Sequence, residues 1–259
     1  MARVDSYEQG VPSWIEHVGP DLDGAKRYYG RLFGWEFDTG VDDDSNGYSM
    51  AQIDGDPVAG LSGQQPHEQG QPARWNVYLA VDDVDAAAGK TAEAGGTVLS
   101  GPFDIGVSGR MAFVQDPVGA AVGLWQGRHL IGSCRAREPG TNGWNELMSD
   151  DVGRAAPFYA AVLALGTETS PMPGTEEDYT TFTVGGRPVA GAAPPPDGVS
   201  PHWNAYLYVE DIDDAADRAT VLGGNEVAPR MDIPGVGRFA FLSDPFGAAF
   251  CLMVDPPEE

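Results

Sequence analysis

The chain repeats itself at a spacing of about 128 residues, and this duplication limits the folds that it can adopt. The stretch RWNVYLAVDDVD at residues 74–85 returns as HWNAYLYVEDID at 202–213. Likewise, GRMAFVQDPVGAAVGL at 109–124 returns as GRFAFLSDPFGAAFCL at 237–252. A repeat of this length predicts two copies of one folding unit.

Each copy is long enough to form a domain with its own core. Of the 259 residues, we assign 1–128 to a first domain, 129–139 to a linker and 140–259 to a second domain. A weaker repeat within each domain divides it into two modules. The predicted modules span about 10–62 and 73–127 in the first domain, and about 140–193 and 201–255 in the second.

Each module is predicted to contain one strand, one helix and three further strands. Residues Trp14 to Val18 alternate as a strand does, Asp21 is placed to cap a helix, and Gly34 is placed to end it. The βαβββ pattern occurs four times and predicts an α+β fold. Pro157 falls inside the predicted first helix of the second domain, where we expect it to kink or delay the helix.

The amino-acid composition limits the expected binding partners and the expected cellular compartment. A net charge of −24 repels nucleic acid and anionic membrane surfaces, so neither is an expected partner. No apolar run approaches the roughly 18 residues that cross a membrane. The first residues contain no apolar signal region, which predicts a cytoplasmic protein. The two cysteines, Cys134 and Cys251, form no disulfide framework and no metal-binding pattern.

The order of these motifs resembles the vicinal oxygen chelate superfamily, which includes glyoxalase I, extradiol dioxygenases, and bleomycin and fosfomycin resistance proteins. The resemblance rests on VDDVD before the second helix, EAGG after it and FVQDPVG before the last strand. It covers nearly the whole chain, and its tandem form looks like an actinobacterial group described as glyoxalase or bleomycin-resistance proteins, sometimes as hydroxylases.

The resemblance implies an α+β fold of four βαβββ modules, paired into two glyoxalase/bleomycin-resistance-like domains. In such domains curved mixed β-sheets form cups, and the ligand lies inside the cup. Because two cups lie in one chain, we expect a monomer with an internal pseudo-dimer, and a homodimer remains an alternative.

Metal-dependent members of the superfamily place four His, Glu or Gln ligands on the first and last strands of the paired modules. The matching positions here are Trp14, Gly60, Asn76 and Gly123 in the first domain, and Trp144, Gly191, Asn204 and Cys251 in the second. None of these is a carboxylate or an imidazole, whereas zinc or iron(II) needs three or four suitable donors at one point. We therefore predict no metal and no cofactor in either cup.

Strand alternation predicts which side chains take the place of the metal ligands. If Trp14 faces the cup, Glu16 does too, so Glu16 and its counterpart Glu146 are the candidate catalytic residues. The predicted ligand-binding residues are Trp14, Met50, Asn76, Tyr78, Arg110 and Trp125 in the first domain, and Trp144, Asn204, Tyr206, Arg238 and Met253 in the second. Tyr48 beside Met50, and Tyr179 with Phe182, are predicted to line a side wall of the cups. The inward glycines predict room for a ligand to approach.

The same residues also permit purely structural roles. The two tryptophans then belong to the core, and the two asparagines bond the backbone at a strand start. In that interpretation Glu16 and Arg110 form a buried ion pair that fixes the sheet, as do Glu146 and Arg238.

Three functions are compatible with these features. The first is a metal-independent protein of the bleomycin-resistance type that binds a small aromatic or natural-product ligand. The second is an enzyme with Glu16 or Glu146 as its base, either a glyoxalase-like lyase or isomerase, or a cofactor-free oxygenase or hydroxylase acting on an aromatic polyketide-like substrate. The third is a structural protein whose cups are filled by side chains.

Overall fold

A computed structural model describes residues 2–38, 47–172 and 178–256 of the chain. Residue 1, at which the first predicted domain begins, and residues 257–259, at which the second ends, lie outside the described residues. The first half contains β1 (Ala2–Arg3), β2 (Pro12–Gly19), α1 (Leu22–Phe33), β3 (Glu36–Asp38), β4 (Ser49–Ile53), β5 (Asp56–Gly63), β6 (Arg74–Ala80), α2 (Val84–Glu93), β7 (Thr97–Ile105), β8 (Gly109–Gln115) and β9 (Ala121–Gly127).

The second half repeats this order. It contains β10 (Arg135–Ala136), β11 (Asn142–Met148), α3 (Val152–Leu163), β12 (Gly166–Pro171), β13 (Asp178–Val184), β14 (Arg187–Ala193), β15 (His202–Tyr208), α4 (Ile212–Val221), β16 (Asn225–Ile233), β17 (Gly237–Ser243) and β18 (Ala249–Val254). Among the described residues, no helix has the length and apolar character that crossing a membrane requires.

The strands form two eight-stranded mixed sheets, one for each half of the chain. Their strand orders are β3-β4-β5-β2-β6-β9-β8-β7 and β12-β13-β14-β11-β15-β18-β17-β16. In the first sheet β2 pairs antiparallel with β6, and this pairing joins two βαβββ modules at the centre of the sheet. The predicted α+β fold of four such modules is confirmed.

Local sequence signals account for the helix ends. The Asp21 side chain accepts a hydrogen bond from the Gly24 N–H at 2.8 Å, and Gly34 ends α1 with a left-handed φ of 75°. Of the two expected effects of Pro157, a kink or a delay of the helix, the delay does not occur, because α3 begins at Val152 and runs through the proline. Tertiary packing of the fully buried Tyr159 supports α3 despite the missing N–H.

The two domains share one apolar core on the face of each sheet that bears the helices. Ile15 and Tyr29 from the first domain belong to the same buried cluster as Tyr159 and Trp203 from the second. Side chains alternate along β2, so Trp14 lies on the opposite face of the sheet from Ile15. The other face of each sheet therefore points away from the domain interface. We call this face the first cup in the first domain and the second cup in the second domain.

Buried hydrogen bonds cross the domain interface in two matching sets. In one set the Trp75 Nε1–H donates to the Tyr29 hydroxyl at 2.9 Å, and this hydroxyl donates to Asp244 of the second domain at 3.0 Å. His17 Nε2 lies 2.8 Å from the same carboxylate oxygen. The first residue of the repeated Trp-Asn pair thus anchors the interface and does not face the cup.

In the other set the partners are exchanged between the domains. The Trp203 Nε1–H donates to the Tyr159 hydroxyl at 2.9 Å, and this hydroxyl donates to Asp116 of the first domain at 3.0 Å. Each aspartate opens one of the repeated DPxG turns, and the other oxygen of Asp116 accepts bonds from the N–H groups of its own turn. The turn therefore joins two strands and also fastens one domain to the other.

Candidate functional site

The first cup contains a cavity of about 780 Å³. Its wall is formed mainly by large apolar and aromatic side chains, namely Trp14, Met50, Tyr78, Met111, Trp125 and Leu130. Leu130 lies between β9 and β10, and its carbonyl accepts a hydrogen bond from the Trp125 Nε1–H at 2.9 Å. This connecting segment therefore closes one side of the cavity and fixes the indole ring.

Glu16 is the carboxylate at the polar end of the cavity, where β2 and β6 pair directly through Glu16 and Asn76. It accepts hydrogen bonds from the Tyr78 hydroxyl, from Asn76 Nδ2 at 3.4 Å and from Ser62 Oγ at 3.1 Å. Burial raises the pKa of Glu16 above its ordinary value, although these three donors and the nearby Arg74 charge act in the opposite direction. The carboxyl is thus held in place and is easier to protonate than an exposed glutamate.

A second tyrosine occupies the space in front of Gly60. The Tyr48 hydroxyl accepts a hydrogen bond from the Trp14 Nε1–H at 3.0 Å. A Cβ atom built on Gly60 would lie 2.0 Å from that hydroxyl, and one built on Gly123 would lie 2.1 Å from the Tyr78 ring. The prediction that these glycines leave room for a ligand is wrong, because the two tyrosines lie against them.

The donor set does not fit the metal ion that metal-dependent members of the superfamily hold at these positions. Glu16 is the one carboxylate among the described residues that line the cavity, and two of the four ligand positions are glycines covered by tyrosine rings. Among the described residues, no three His, Cys, Asp or Glu side chains come together as a metal-binding group. Phenols with strongly raised pKa values, such as the buried Tyr78, are poor metal ligands because they resist ionisation.

The second cup repeats the polar cluster with different neighbours. The Trp144 Nε1–H donates to the Tyr179 hydroxyl at 3.0 Å, and the Tyr206 hydroxyl donates to Glu146 at 2.5 Å. Burial also raises the pKa of Glu146. Where the first cup has Met111, Gly123 and Trp125, the second has three side chains that pack on Tyr206, namely Phe239, Cys251 and Met253.

The structure brings most of the predicted site residues together. Glu16, Trp14, Met50, Tyr78 and Trp125 line the first cavity, and Asn76 contacts Glu16. Glu146, Trp144, Tyr206 and Met253 lie in the second cup, where Asn204 is within 2.9 Å of His202 Nε2.

Arg110 and Arg238 do not lie in the cups. Arg110 donates to Asp85 at 2.8 Å and Arg238 donates to Asp213 at 2.6 Å, and both of these aspartates lie in the first turn of a helix on the other face of the sheet. The predicted ion pairs with Glu16 and Glu146 are therefore wrong. The next residue along β8, Met111, faces the cup instead, so the alternation was assigned one residue out of step.

Tyr48, which was predicted to line a side wall, lies in the wall of the first cavity, whereas Phe182 belongs to the shared apolar core and not to the second cup. Sequence reasoning missed one neighbour of the polar cluster in the first cup, Arg74. Arg74 shares strand parity with Asn76 and therefore faces the same side of the sheet. It has histidine as its counterpart, so the repeat did not draw attention to it.

The raised pKa of Glu16 leads to a prediction about stability and pH. The folded protein holds the Glu16 proton more tightly than the unfolded chain does, so ionisation costs stability as the pH rises above the ordinary value of 4.5. Below that value the cost is absent. Glu16→Gln cannot ionise and should therefore gain thermal stability relative to wild type as the pH rises, as should Glu146→Gln.

Thermal midpoints measured from below pH 4.5 to above neutrality test this prediction. The exposed Glu93→Gln is the control for the general effect of removing one negative charge. A difference between Glu16→Gln and wild type that stays constant over this range would show that Glu16 is not perturbed in the folded protein.

The arrangement of the modules indicates the class to which this protein belongs. Paired βαβββ modules that enclose a cup within one open mixed sheet are the architecture of the vicinal oxygen chelate proteins. Residues 13–124 match the model of the Glyoxalase/Bleomycin resistance protein/Dioxygenase superfamily, and residues 146–253 match that of a glyoxalase-like domain. The chain belongs to this superfamily.

Two similar proteins align with almost the whole chain. A protein of Mycobacterium tuberculosis named "Putative glyoxylase CFP32" is 42% identical over 262 residues, covering 100% of both chains. The anthracycline biosynthesis protein DnrV of Streptomyces peucetius is 34% identical over 261 residues, covering 95% of this chain and 94% of its own.

Solved structures with little sequence identity share the fold. A Mn(II)-bound glyoxalase from Novosphingobium aromaticivorans has a TM-score of 0.63 at 19% identity, over 96% of this chain and 84% of the other. A catechol 2,3-dioxygenase has a TM-score of 0.64 at 14% identity, over 98% and 90%. At this identity the likeness concerns the fold alone.

Proposed function

We propose that the first cup binds a small aromatic or natural-product ligand directly, without a metal ion. The observation that carries this proposal is the cavity of about 780 Å³, with Glu16 at its polar end and Trp14 and Trp125 in its wall. Ligand sites typically measure about 300–1,000 Å³ and combine an apolar, aromatic lining with a few polar groups. The first cup has this size and this composition.

Its side chains suit a flat ligand with a hydroxyl group. Aromatic rings pack on one another in offset or edge-to-face arrangements, and the thioether of Met111 adapts to an irregular outline. Glu16 accepts a hydrogen bond when ionised and donates one when protonated. The name of the anthracycline biosynthesis relatives supports an aromatic natural product as the class of ligand.

An enzyme is the second candidate, and the environment of Glu16 favours it. A carboxyl group whose pKa is raised by burial is a more effective general base near neutral pH. The step would be transfer of a proton from an acidic carbon or a phenol of the ligand to Glu16. A glyoxalase-like lyase or isomerase, or a hydroxylase that also uses dioxygen, would begin in this way, and Glu146 is the matching base of the second cup.

Titration of metal-stripped protein with aromatic phenols, acids and quinones tests the proposal. We expect saturable quenching of tryptophan fluorescence, and binding about 10- to 150-fold weaker in Glu16→Gln because a hydrogen bond to a charged group is lost. Glu146→Gln, which alters the second cup, is the matched control and should leave this binding unchanged.

Chromatography of the bound ligand separates the two candidates. A binding protein returns the ligand unchanged, whereas an enzyme converts it and loses turnover in Glu16→Gln with the fold intact. Failure of every ligand class to bind saturably would contradict both candidates.

A further inference from the structure

Tyr48 has a hydroxyl hydrogen that no other described residue accepts. The side chain is half-buried and lines the first cavity, and its oxygen accepts a hydrogen bond from the Trp14 Nε1–H at 3.0 Å. Among the described residues, the hydroxyl has this one hydrogen bond, in which it is the acceptor. A phenol hydroxyl also carries one hydrogen to donate. That hydrogen is therefore available to a ligand in the cavity.

The second cup uses the corresponding hydrogen for itself. Tyr179 stands at the position of Tyr48, and its oxygen likewise accepts from the Trp144 Nε1–H at 3.0 Å. Its hydroxyl also forms a hydrogen bond with Glu146. Tyr48 forms no such bond with Glu16. The two cups thus hold the same phenol against the same indole but differ in what the hydroxyl hydrogen does.

Ser62 engages the Glu16 oxygen that Tyr48 would otherwise reach. Its Oγ donates to Glu16 Oε1 at 3.1 Å. The other carboxyl oxygen, Oε2, accepts from the Tyr78 hydroxyl and from Asn76 Nδ2. Both oxygens of the carboxyl are therefore occupied by other side chains of the first cup.

Alanine replaces this serine in the second cup. Ala193 stands at the position of Ser62, and its methyl group donates no hydrogen bond. Among the described residues, the side chains that hydrogen-bond to Glu146 are those of Tyr206 and Tyr179. The change from serine to alanine thus accompanies the change in the tyrosine hydrogen, which supports Ser62 as the cause of the free donor in the first cup.

We propose that the Tyr48 hydroxyl donates to a carbonyl oxygen of the ligand, and that the first cup therefore selects an aromatic ketone or quinone. This inference rests on the proposed function of the first cup. A carbonyl oxygen accepts hydrogen bonds and donates none, so it matches a free O–H group. The bond from Trp14 fixes the phenol oxygen and strengthens the bond that this hydroxyl donates. Ser62 acts as a positioning residue that keeps the donor free.

The environment of the phenol keeps its hydrogen in place. Burial, together with the negative charge of Glu16, raises the pKa of Tyr48 above its ordinary value of 10.0. The hydroxyl therefore remains a neutral donor at neutral pH, and it does not repel the partial negative charge of a carbonyl oxygen. The ligand rings would then lie among the aromatic side chains of the cavity wall, which include Trp14 and Trp125.

Calorimetric titration with 1-tetralone and with tetralin, which lacks the carbonyl group, tests this assignment. Tyr48→Phe should weaken binding of 1-tetralone about 5- to 150-fold, because a buried carbonyl is left without its donor. Binding of tetralin should change less than about twofold, because an apolar ligand makes no use of the hydroxyl. A loss of packing in the variant would instead weaken both probes alike.

Ser62→Ala gives the first cup the residue of the second. Tyr48 should then donate to Glu16, so binding of 1-tetralone should weaken while binding of tetralin stays unchanged. Tyr179→Phe, the matched control in the second cup, should alter neither titration.

The ratio of the two affinities decides the outcome. If Tyr48→Phe binds 1-tetralone and tetralin with the same ratio as wild type, the assignment of Tyr48 is overturned, while saturable binding of tetralin leaves the proposed function standing. A wild-type ratio in Ser62→Ala would overturn the role of the serine. If neither probe binds wild type saturably, the assignment and the proposed function are both overturned.

Discussion

Replacing Asp244 with alanine is expected to lower the free energy of unfolding by about 3–5 kcal/mol, the cost of removing one partner from a buried, charged hydrogen-bond network. Asp244 is 2% exposed and belongs to the second domain, yet its Oδ2 contacts Tyr29 and His17 of the first. Its Oδ1 accepts from the N–H groups of Phe246 and Ala248 in its own turn. Alanine would leave buried donors of both domains without an acceptor.

Urea denaturation followed by circular dichroism and tryptophan fluorescence measures this loss. The exposed Asp197→Ala is the matched control and should change stability by no more than about 0.5 kcal/mol. Asp116→Ala removes the matching acceptor of Tyr159 and should also be strongly destabilising. A loss below about 1 kcal/mol for Asp244→Ala, no more than a typical single mutation costs, would show that these bonds do not hold the domains together.

Replacing Gly60 with alanine is expected to disrupt the first cup. The new Cβ would lie 2.0 Å from the Tyr48 hydroxyl and 3.1 Å from Trp14 Nε1, so the phenol must move into the cavity and leave the indole. Overpacking of this kind costs about 1–3 kcal/mol of stability. We expect ligand binding to weaken more than tenfold, equivalent to about 1.4 kcal/mol, because the ring then occupies the space of the ligand.

Two other glycines provide the controls for this variant. Gly191→Ala makes the same clash with Tyr179 in the second cup, at 1.7 Å, and should cost similar stability without affecting the ligand of the first. Gly89→Ala, on an exposed turn of α2 with nothing within 4 Å of the new Cβ, should increase stability by about 0.5–1 kcal/mol. Ligand affinity that is unchanged in Gly60→Ala would contradict the location of the site.

Features encoded in short stretches of sequence could be predicted. Asp21 and Gly34 mark the ends of α1 by local hydrogen bonds and backbone conformation, and strand alternation correctly placed Trp14, Glu16 and Tyr78 on one face. The internal repeat predicted two copies of a domain built from two modules, because matching stretches of sequence are expected to occupy the same position in both copies.

Features set by contacts between distant strands could not be predicted. The side of the sheet on which Arg110 lies depends on the register of β8, and a shift of one residue exchanges cup and helix faces. The contact of Tyr48 with Gly60 needs two strands to be paired, and that of Tyr29 with Asp244 needs two domains to be packed. No local pattern reports such contacts, although the matching offset of Tyr48 and Tyr179 was a usable sign.

The repeated Trp-Asn pair illustrates both kinds of feature. Alternation was enough to place Asn76 in the cup, where it joins Arg74 to Glu16. The neighbouring Trp75 contacts the Tyr29 hydroxyl, which in turn reaches the second domain, and that role became visible only with the packed structure.

We propose above that the first cup recognises its ligand with protein side chains in place of a metal ion. The most direct measurement combines metal analysis and ligand titration on one sample that has been dialysed against a chelator. We predict no stoichiometric transition metal after dialysis, full binding of an aromatic ligand, and an unchanged affinity when Mn²⁺ or Fe²⁺ is added. A stoichiometric metal ion that survives dialysis, or binding that appears only after a metal is restored, would contradict the claim.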